Sequence, residues 1–262
     1  MTTRAKQQQQ HHQHASEPHH RKLNPEAIIT RQILREAGVF TVSLTGSPGC
    51  GRTTLINTTV HTLEHVARVG VVVANLAMGR RQCCARHVAH VDSDQLDAGE
   101  VRRAIDSLPL DKIDLLLIES TYNCCQTAEI DLGEQARVAV FDVGAGDDKA
   151  AEAARLIRNS SLVLLNKRDL LPHVHFDVDA FHADVARANA TAAVIEISTP
   201  RKLGIEEWVR WLNQQRLTLS KPKGGLAFDD WFMGLKLITT ESCTCLKGPA
   251  VKGAMLKGAV PR

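Results

Sequence analysis

A glycine-rich loop between a β-rich segment and a helical segment constrains the fold more than any other feature of this chain. Residues 46–54 read GSPGCGRTT. The glycines allow backbone N–H groups to curl around phosphate oxygens, and a helix starting near Thr53 directs its positive end at them. A tight turn without a ligand is the alternative, but strand, glycine loop and helix is the order a phosphate-binding loop requires. The candidate nucleotide-binding residues here are Gly46, Ser47, Gly49, Cys50, Gly51, Arg52, Thr53 and Thr54.

Apolar strand-like runs alternate with helical patterns along residues 25–215. Strands are predicted over 39–44, 69–73, 113–119, 138–143, 162–166 and 193–198. Helices are predicted over 25–37, 53–66, 97–107, 148–159, 178–189 and 205–215, with a helical or irregular stretch over 80–90. Strands with little polar alternation belong in a parallel sheet covered on both faces. We therefore expect an α/β fold with a doubly wound, mostly parallel sheet.

Three residues near the loop are the candidate catalytic groups. Arg52 occupies the position where the phosphate-loop pattern has lysine, and Thr53 is placed to ligate Mg²⁺. A guanidinium is wider than an ammonium, so we expect Arg52 to swing outward or to crowd the γ-phosphate. Glu119 ends an apolar strand and is either a magnesium-holding carboxylate or a plain strand-end acid.

A second motif points to the base of the nucleotide. Asn166, Lys167 and Asp169 form an N-K-x-D segment at the end of a predicted strand. A carboxylate in this position accepts the guanine N1–H and exocyclic amine protons. Ser198, after the last predicted strand, is the expected partner contact to the base. Together these residues favour guanine over adenine and disfavour a small-molecule kinase.

The two ends of the chain differ in composition from its middle. Residues 1–23 are rich in glutamine and histidine, with His11, His12, His14, His19 and His20. This leader is expected to be disordered because it has too few apolar residues to offset the entropy of ordering. It is a purification tag, a polar spacer or a nickel- or zinc-binding tract. Residues 216–262 are expected to form a loosely ordered basic tail, which leaves 24–215 as the nucleotide-binding domain.

Charge and composition exclude several classes of function. The net charge of +3 divides into +3 for residues 1–24, +5 for 216–262 and about −5 for the middle. An acidic central domain is not a nucleic-acid-binding surface. The apolar runs are too short for a membrane span, and no secretory signal follows Met1. A cytoplasmic location is therefore expected, and the seven cysteines are expected to be reduced thiols or metal ligands.

Five segments resemble, in order and spacing, the HypB family of GTPases that help insert nickel into nickel–iron hydrogenase. They are Gly46–Thr54, Ile118–Glu119, Asp131–Glu134, Asn166–Pro172 and Gly204–Leu212. The UreG urease accessory proteins are close relatives of that family. The resemblance implies a P-loop NTPase fold of the SIMIBI class and GTP-dependent dimerisation. It also implies nickel or zinc bound by cysteine and histidine, and a leader similar to nickel-storing leaders.

The chain also departs from the family pattern. Besides Arg52, Asn75 stands in a stretch where the family has magnesium-holding acids, and Tyr122 stands where a switch glycine is expected. The usual metal-site cysteine and histidine are replaced by Asp94 and Gln95. Base recognition is therefore better preserved than phosphate chemistry and metal binding.

Other cysteines and histidines could replace the lost metal ligands. Cys83, His87 and His90 would share one face if residues 80–90 were helical, and thiolate plus imidazole suits zinc or nickel. In the alternative interpretation, Cys83 and Cys84 are small core residues and the two histidines lie on a solvated face. Cys124 and Cys125 lie near the family site and bind metal or pack in a loop. Cys243 and Cys245 bind a soft metal or remain free thiols.

These observations predict a GTP- and GDP-binding protein that uses Mg²⁺ and has weakened hydrolysis. Its expected partners are hydrogenase-maturation or nickel-delivery proteins, a nickel-enzyme precursor and a second copy of the chain. The alternative is a decayed nucleotide-sensing protein or one that stores nickel or zinc, which Arg52, Asn75 and Tyr122 favour.

Overall fold

A seven-stranded parallel sheet forms the centre of the computed structural model, which describes residues 24–74, 83–93, 95–121, 127–146 and 148–219. The strand order is β3-β2-β4-β1-β5-β6-β7, and every neighbouring pair is parallel. This confirms the expected doubly wound α/β fold. The strands are β1 Phe40–Gly46, β2 Val69–Ala74, β3 His87–Val91, β4 Leu115–Thr121, β5 Ala136–Asp142, β6 Leu162–Asn166 and β7 Ala193–Glu196.

Helices follow β1, β3, β5, β6 and β7 in the described part of the chain, and they cover both faces of the sheet. Leu55 of the second helix and Trp208 of the last pack on one face, while Leu34 and Ile105 pack on the other. Phe181 anchors a third cluster over the β5–β6 side. The helices are α1 Pro25–Glu36, α2 Arg52–Leu63, α3 Ala98–Asp106, α4 Lys149–Glu152, α5 Ala154–Arg158, α6 Val178–Ala188 and α7 Ile205–Leu219.

Local sequence signals account for the helix starts. Asn24 caps α1 by accepting a hydrogen bond from the Glu26 N–H, and Pro25 occupies the first helical position. Asp97 and Glu100 form a reciprocal capping box at the start of α3. In contrast, Gly51 precedes the first residue of α2 and has no side chain that could cap it. The start of a helix attracts anions, because its first N–H groups have no carbonyl partner within the helix.

A buried ion pair fixes the chain as it enters β5. Arg137 and Glu134 are 2% and 0% exposed, with Arg137 Nη2 2.6 Å from Glu134 Oε1. Arg137 also donates to the carbonyl oxygens of Ala128 and Ile130. Glu134 in turn accepts the Leu132 N–H at 2.9 Å. The Asp131–Glu134 motif is thus part of a hydrogen-bonded turn, in which both buried charges have partners.

The structure corrects three sequence-based expectations. The stretch 80–90 was expected to be helical or irregular, but His87–Val91 is the edge strand β3, paired with β2. The helix expected over 148–159 is interrupted at Ala153, between α4 and α5. The last helix continues past Gln215 to Leu219, and Arg216 in it is buried.

The two expected tails lie almost entirely outside the described residues. The histidine-rich leader, residues 1–23, is not described, and neither are residues 220–262. Within the described part of the chain, no helix is long and apolar enough to cross a membrane.

Candidate functional site

The candidate nucleotide-binding residues lie together at the carboxyl ends of the parallel strands. The glycine loop follows β1, Glu119 and Ser120 lie near the end of β4, and Asn166 ends β6. Ser198 follows β7. In parallel sheets the carboxyl ends of neighbouring strands form a ligand-binding crevice. The phosphate motif and the base motif, separated by over a hundred residues in sequence, are therefore adjacent in space.

The glycine loop has the backbone shape that its sequence suggests. Ser47 and Gly49 are exposed at its tip, and the Cys50 N–H closes a turn on the Ser47 carbonyl oxygen at 3.2 Å. Gly51 has φ of 96°, a left-handed conformation that side chains rarely adopt. A Cβ at Gly51 would lie 2.4 Å from Asn166 Nδ2. Glycine is thus required there by both conformation and space.

Arg52 points into the protein. Its side chain is 5% exposed, and its Nη1 donates to the Ser120 carbonyl oxygen at the end of β4. This excludes the outward orientation expected as one alternative from the sequence. The guanidinium instead joins the start of α2 to the neighbouring strand.

Thr53 and Glu119 form an oxygen pair at the start of α2. The Thr53 hydroxyl donates to Glu119 Oε1 at 2.7 Å, and both residues are partly accessible to solvent. A hydroxyl and a carboxylate are hard oxygen donors, the ligand type that Mg²⁺ takes in nucleotide sites. The pair therefore fits a magnesium ion held together with substrate phosphates.

One hydrogen bond joins the base motif to the phosphate loop. Asn166 Nδ2 donates to the Cys50 carbonyl oxygen at 2.9 Å, and Asn166 is 1% exposed. Asp169 lies beside Ser198, whose hydroxyl donates to Asp169 Oδ1 at 2.5 Å. The Arg168 N–H also donates to the Ile197 carbonyl oxygen, which ties the motif to the end of β7. The loop carrying Ser198 therefore orients the Asp169 carboxylate.

Asp142 joins the candidate site, although it belongs to no local sequence motif. Lys167 has a left-handed backbone with φ of 61°, and its Nζ lies 3.0 Å from Asp142 Oδ1. The same carboxylate accepts the Gly144 N–H at 3.0 Å. Its position at the end of β5 was the available signal, because strand-end carboxylates in parallel sheets line the ligand crevice. Asp142 fixes the direction of the Lys167 side chain.

The structure does not bring Cys83, His87 and His90 together on a helical face. His87 and His90 lie three residues apart in strand β3, so their side chains point to opposite faces of the sheet. Cys83 precedes the strand and packs against the main hydrophobic cluster. Within the described ranges, no three histidine, cysteine or acidic residues could hold a metal ion. The helical metal-site hypothesis is therefore wrong. His11, His12, His14, His19, His20, Cys124 and Cys125 lie outside the described residues.

The described cysteines are poor candidates for metal-binding thiolates. Burial raises the pKa of the Cys50 thiol, although the adjacent Arg52 charge opposes this shift. Burial likewise raises the pKa of Cys83. Both thiols are therefore protonated at neutral pH. Cys84 is disulfide-bonded, which departs from the expectation of reduced thiols.

Comparison with known proteins decides the family. The family described as CobW/HypB/UreG, nucleotide-binding domain, matches residues 40–196, from the first residue of β1 to the last of β7. The match covers more than half of the chain. The chain belongs to the CobW/HypB/UreG family. Its P-loop fold and the nucleotide-binding character of the domain follow from this membership and from the sheet described above.

HypB proteins are among the relatives of this family member. The hydrogenase maturation factor HypB of Azotobacter chroococcum mcd 1 is 34% identical over 197 residues, 72% of this chain and 65% of that protein. The chain thus spans slightly less than two thirds of the length of that curated relative.

Solved HypB structures have the same fold. The crystal structure of hydrogenase maturation factor HypB from Archaeoglobus fulgidus has a TM-score of 0.66 and 28% identity, covering 73% of this chain and 97% of that one. The structure of Helicobacter pylori HypB in complex with nickel has a TM-score of 0.67. At 20% identity, covering 76% of this chain and 98% of that one, it supports the fold alone.

Replacing Gly51 with alanine tests the close packing of the two motifs. Gly51→Ala should destabilise the nucleotide-free protein by the cost of a left-handed alanine, about 1–2 kcal/mol, and by the displacement of Asn166. Gly49→Ala is the matched control, because Gly49 has φ of 85° but a Cβ added to it would meet no atom within 4 Å. Urea unfolding measures both changes.

The difference between the two variants isolates the contact with Asn166. Gly51→Ala should lower the free energy of unfolding by at least about 1 kcal/mol more than Gly49→Ala, the scale of a lost buried hydrogen bond. Equal destabilisation by the two substitutions would contradict the tight approach of Gly51 to Asn166.

Proposed function

We propose that this chain is a GTP-binding and GTP-hydrolysing protein that assists nickel insertion during maturation of an enzyme of the nickel–iron hydrogenase type. The observation that carries the proposal is the direct link between the base motif and the phosphate loop, from Asn166 Nδ2 to the Cys50 carbonyl oxygen. Membership of the CobW/HypB/UreG family and the similarity to hydrogenase maturation factors support it.

The nucleotide would lie along the carboxyl edge of the sheet. Backbone N–H groups of the glycine loop and of the uncapped start of α2, including those of Gly51, Thr53 and Thr54, would donate to phosphate oxygens. At the other end, Asp169 would accept the N1–H and exocyclic amine protons of guanine, oriented by Ser198. Lys167 would flank the base in the direction set by Asp142.

Thr53 and Glu119 would hold Mg²⁺ together with the phosphates of the nucleotide. When bound, the ion neutralises charge that develops on the phosphate oxygens. Thr53 would hold the ion through its hydroxyl oxygen, and Glu119 would hold it through its carboxylate. The remaining stabilisation comes from backbone amides and from positioning of the attacking water, since phosphoryl transfer depends mainly on placement and electrostatics.

Arg52 supplies the positive charge that lysine supplies in the common phosphate-loop pattern. Its hydrogen bond to the Ser120 carbonyl oxygen directs that charge towards β4. An arginine held in this way stabilises the transferring phosphoryl group less well than a lysine extending beneath it. We therefore assign slow hydrolysis to the protein.

Nickel would be the cargo of the protein. The leader histidines His11, His12, His14, His19 and His20 are the proposed nickel or zinc ligands, with Cys124 and Cys125 as further candidates. The proposed partners are other maturation or nickel-delivery proteins, the nickel-enzyme precursor and a second copy of this chain, which would associate in a nucleotide-dependent way. We place this activity in the cytoplasm.

The turnover of GTP at saturating GTP and Mg²⁺ tests the assignment of Arg52. The unaltered protein should turn over slowly, and Arg52→Lys should accelerate turnover by at least about tenfold, since one well-placed charge changes phosphoryl-transfer rates by that much or more. Thr53→Ala is the control that reports contaminating GTPase activity. A lysine variant slower than the natural protein would show that Arg52 is an adapted catalytic group.

Nickel titration of the full chain tests the role of the leader. Calorimetry should show several nickel ions bound per chain, because five imidazoles within ten residues share borderline cations readily. Replacing His11, His12, His14, His19 and His20 with alanine should remove most of this binding. Replacing Gln7–Gln10 with alanine is the matched control. Equal nickel stoichiometry in all three proteins would contradict a metal-binding leader.

A further inference from the structure

A cleft of about 610 Å³ lies at the amino ends of β2 and β3, whereas the nucleotide site lies at the carboxyl ends of the strands. It is bounded by the carboxyl-terminal half of α2, the start of β2 and the segment leading into β3. Its volume falls within the range of about 300–1,000 Å³ that is usual for small-molecule sites. The cleft is distinct from the nucleotide site, because α2 carries the glycine loop at one end and this cleft at the other.

The walls of the cleft combine apolar and cationic side chains. Val60, Ala67 and Val69 contribute apolar surface. Among the described lining residues, Arg68, Arg86 and Lys112 contribute three permanent positive charges, and Glu64 contributes the one carboxylate.

The three cations differ in how they are held. Arg68 is fixed, with its Nη2 2.6 Å from Asp114 Oδ1 and its Nε 2.9 Å from Asp114 Oδ2. The hydrogen bonds to Asp114 raise the pKa of Arg68. Arg86 and Lys112 are exposed and form no ion pair with residues in the described ranges. The cleft thus has one rigid cation and two cations available to an anion.

A metal ion is not the ligand that this lining suits. His61, Glu64, Cys84 and His87 also border the cleft, but no three such residues in the described part of the chain could hold a metal ion. Cys84 is disulfide-bonded and supplies no thiolate. The surrounding positive charges would also repel a cation.

We propose that this cleft binds a small organic anion with an apolar body. The apolar body would lie against Val60, Ala67 and Val69, and the anionic group would face Arg86 and Lys112. The glycine loop precedes the first turn of the twelve-residue helix α2, and the cleft borders its last turn. A helix of this length spans about 18 Å, at about 1.5 Å per residue. The anion would therefore bind without displacing the nucleotide.

Two fluorescent dyes of similar shape and different charge test this proposal on the full chain. The anionic probe is 8-anilinonaphthalene-1-sulfonate, and its neutral analogue is N-phenyl-1-naphthylamine. The test variant is Arg86→Glu combined with Lys112→Glu. The control variant is Arg103→Glu combined with Arg158→Glu, which makes the same charge change at exposed positions on α3 and α5. Urea unfolding confirms that both variants are folded.

The expected result is saturable binding of the sulfonate dye that is weakened by at least about tenfold, or 1.4 kcal/mol, in the Arg86→Glu, Lys112→Glu variant. The control variant should bind the dye as the unaltered protein does, and GDP should not displace it. The neutral dye should bind at least about tenfold more weakly, since it lacks the charge that the two cations attract. Failure of the sulfonate dye to bind, equal binding of the neutral dye, equal weakening in the control variant, or displacement by GDP would each overturn the proposal.

Discussion

The hydrogen bond from Asn166 to the Cys50 carbonyl oxygen is the interaction on which the candidate site depends. It is buried, and it joins the end of β6 to the loop after β1, although β5 lies between these strands. Gly51 permits it, because any Cβ there would lie against the Asn166 amide. Since a buried amide left without its partner costs about 1–3 kcal/mol, the base motif and the phosphate loop hold each other in place. The two candidate motifs therefore form one hydrogen-bonded unit.

Two further contacts extend this unit across the sheet. The Ser198 hydroxyl sets the orientation of Asp169, and Asp142 sets that of Lys167. On the other side of the glycine loop, Arg52 reaches the Ser120 carbonyl oxygen of β4. Side chains from neighbouring strands of the sheet therefore meet at the carboxyl ends of these strands, which lie side by side because the strands are parallel. The basic cleft lies at the opposite end of the strands. Helix α2 therefore has the glycine loop at its start and the basic cleft at its end.

Most of the fold could be predicted from the sequence because its strands are continuous apolar runs, such as Leu162–Asn166. Strand β3 could not be predicted, because it is short, contains two histidines and, among the described strands, pairs only with β2. Its conformation depends on tertiary pairing rather than on an apolar pattern. The phosphate loop and base motif were recognisable as local patterns. The pairing of Asp142 with Lys167 was not, because these residues are 25 positions apart in the sequence and meet only through the pairing of β5 with β6.

Guanine selectivity carried by Asp169 is the central claim, and nucleotide affinities measured by calorimetry test it most directly. The unaltered protein should bind GTP far more tightly than ATP. Asp169→Asn should weaken GTP binding and lower the ratio of GTP to XTP affinity by at least about a hundredfold, because unpaired polar groups in a base pocket are strongly penalised. Asp184→Asn, at a surface ion pair on α6, is the control and should leave the ratio unchanged. Equal binding of ATP and GTP by the unaltered protein, or an unchanged ratio in Asp169→Asn, would contradict the account.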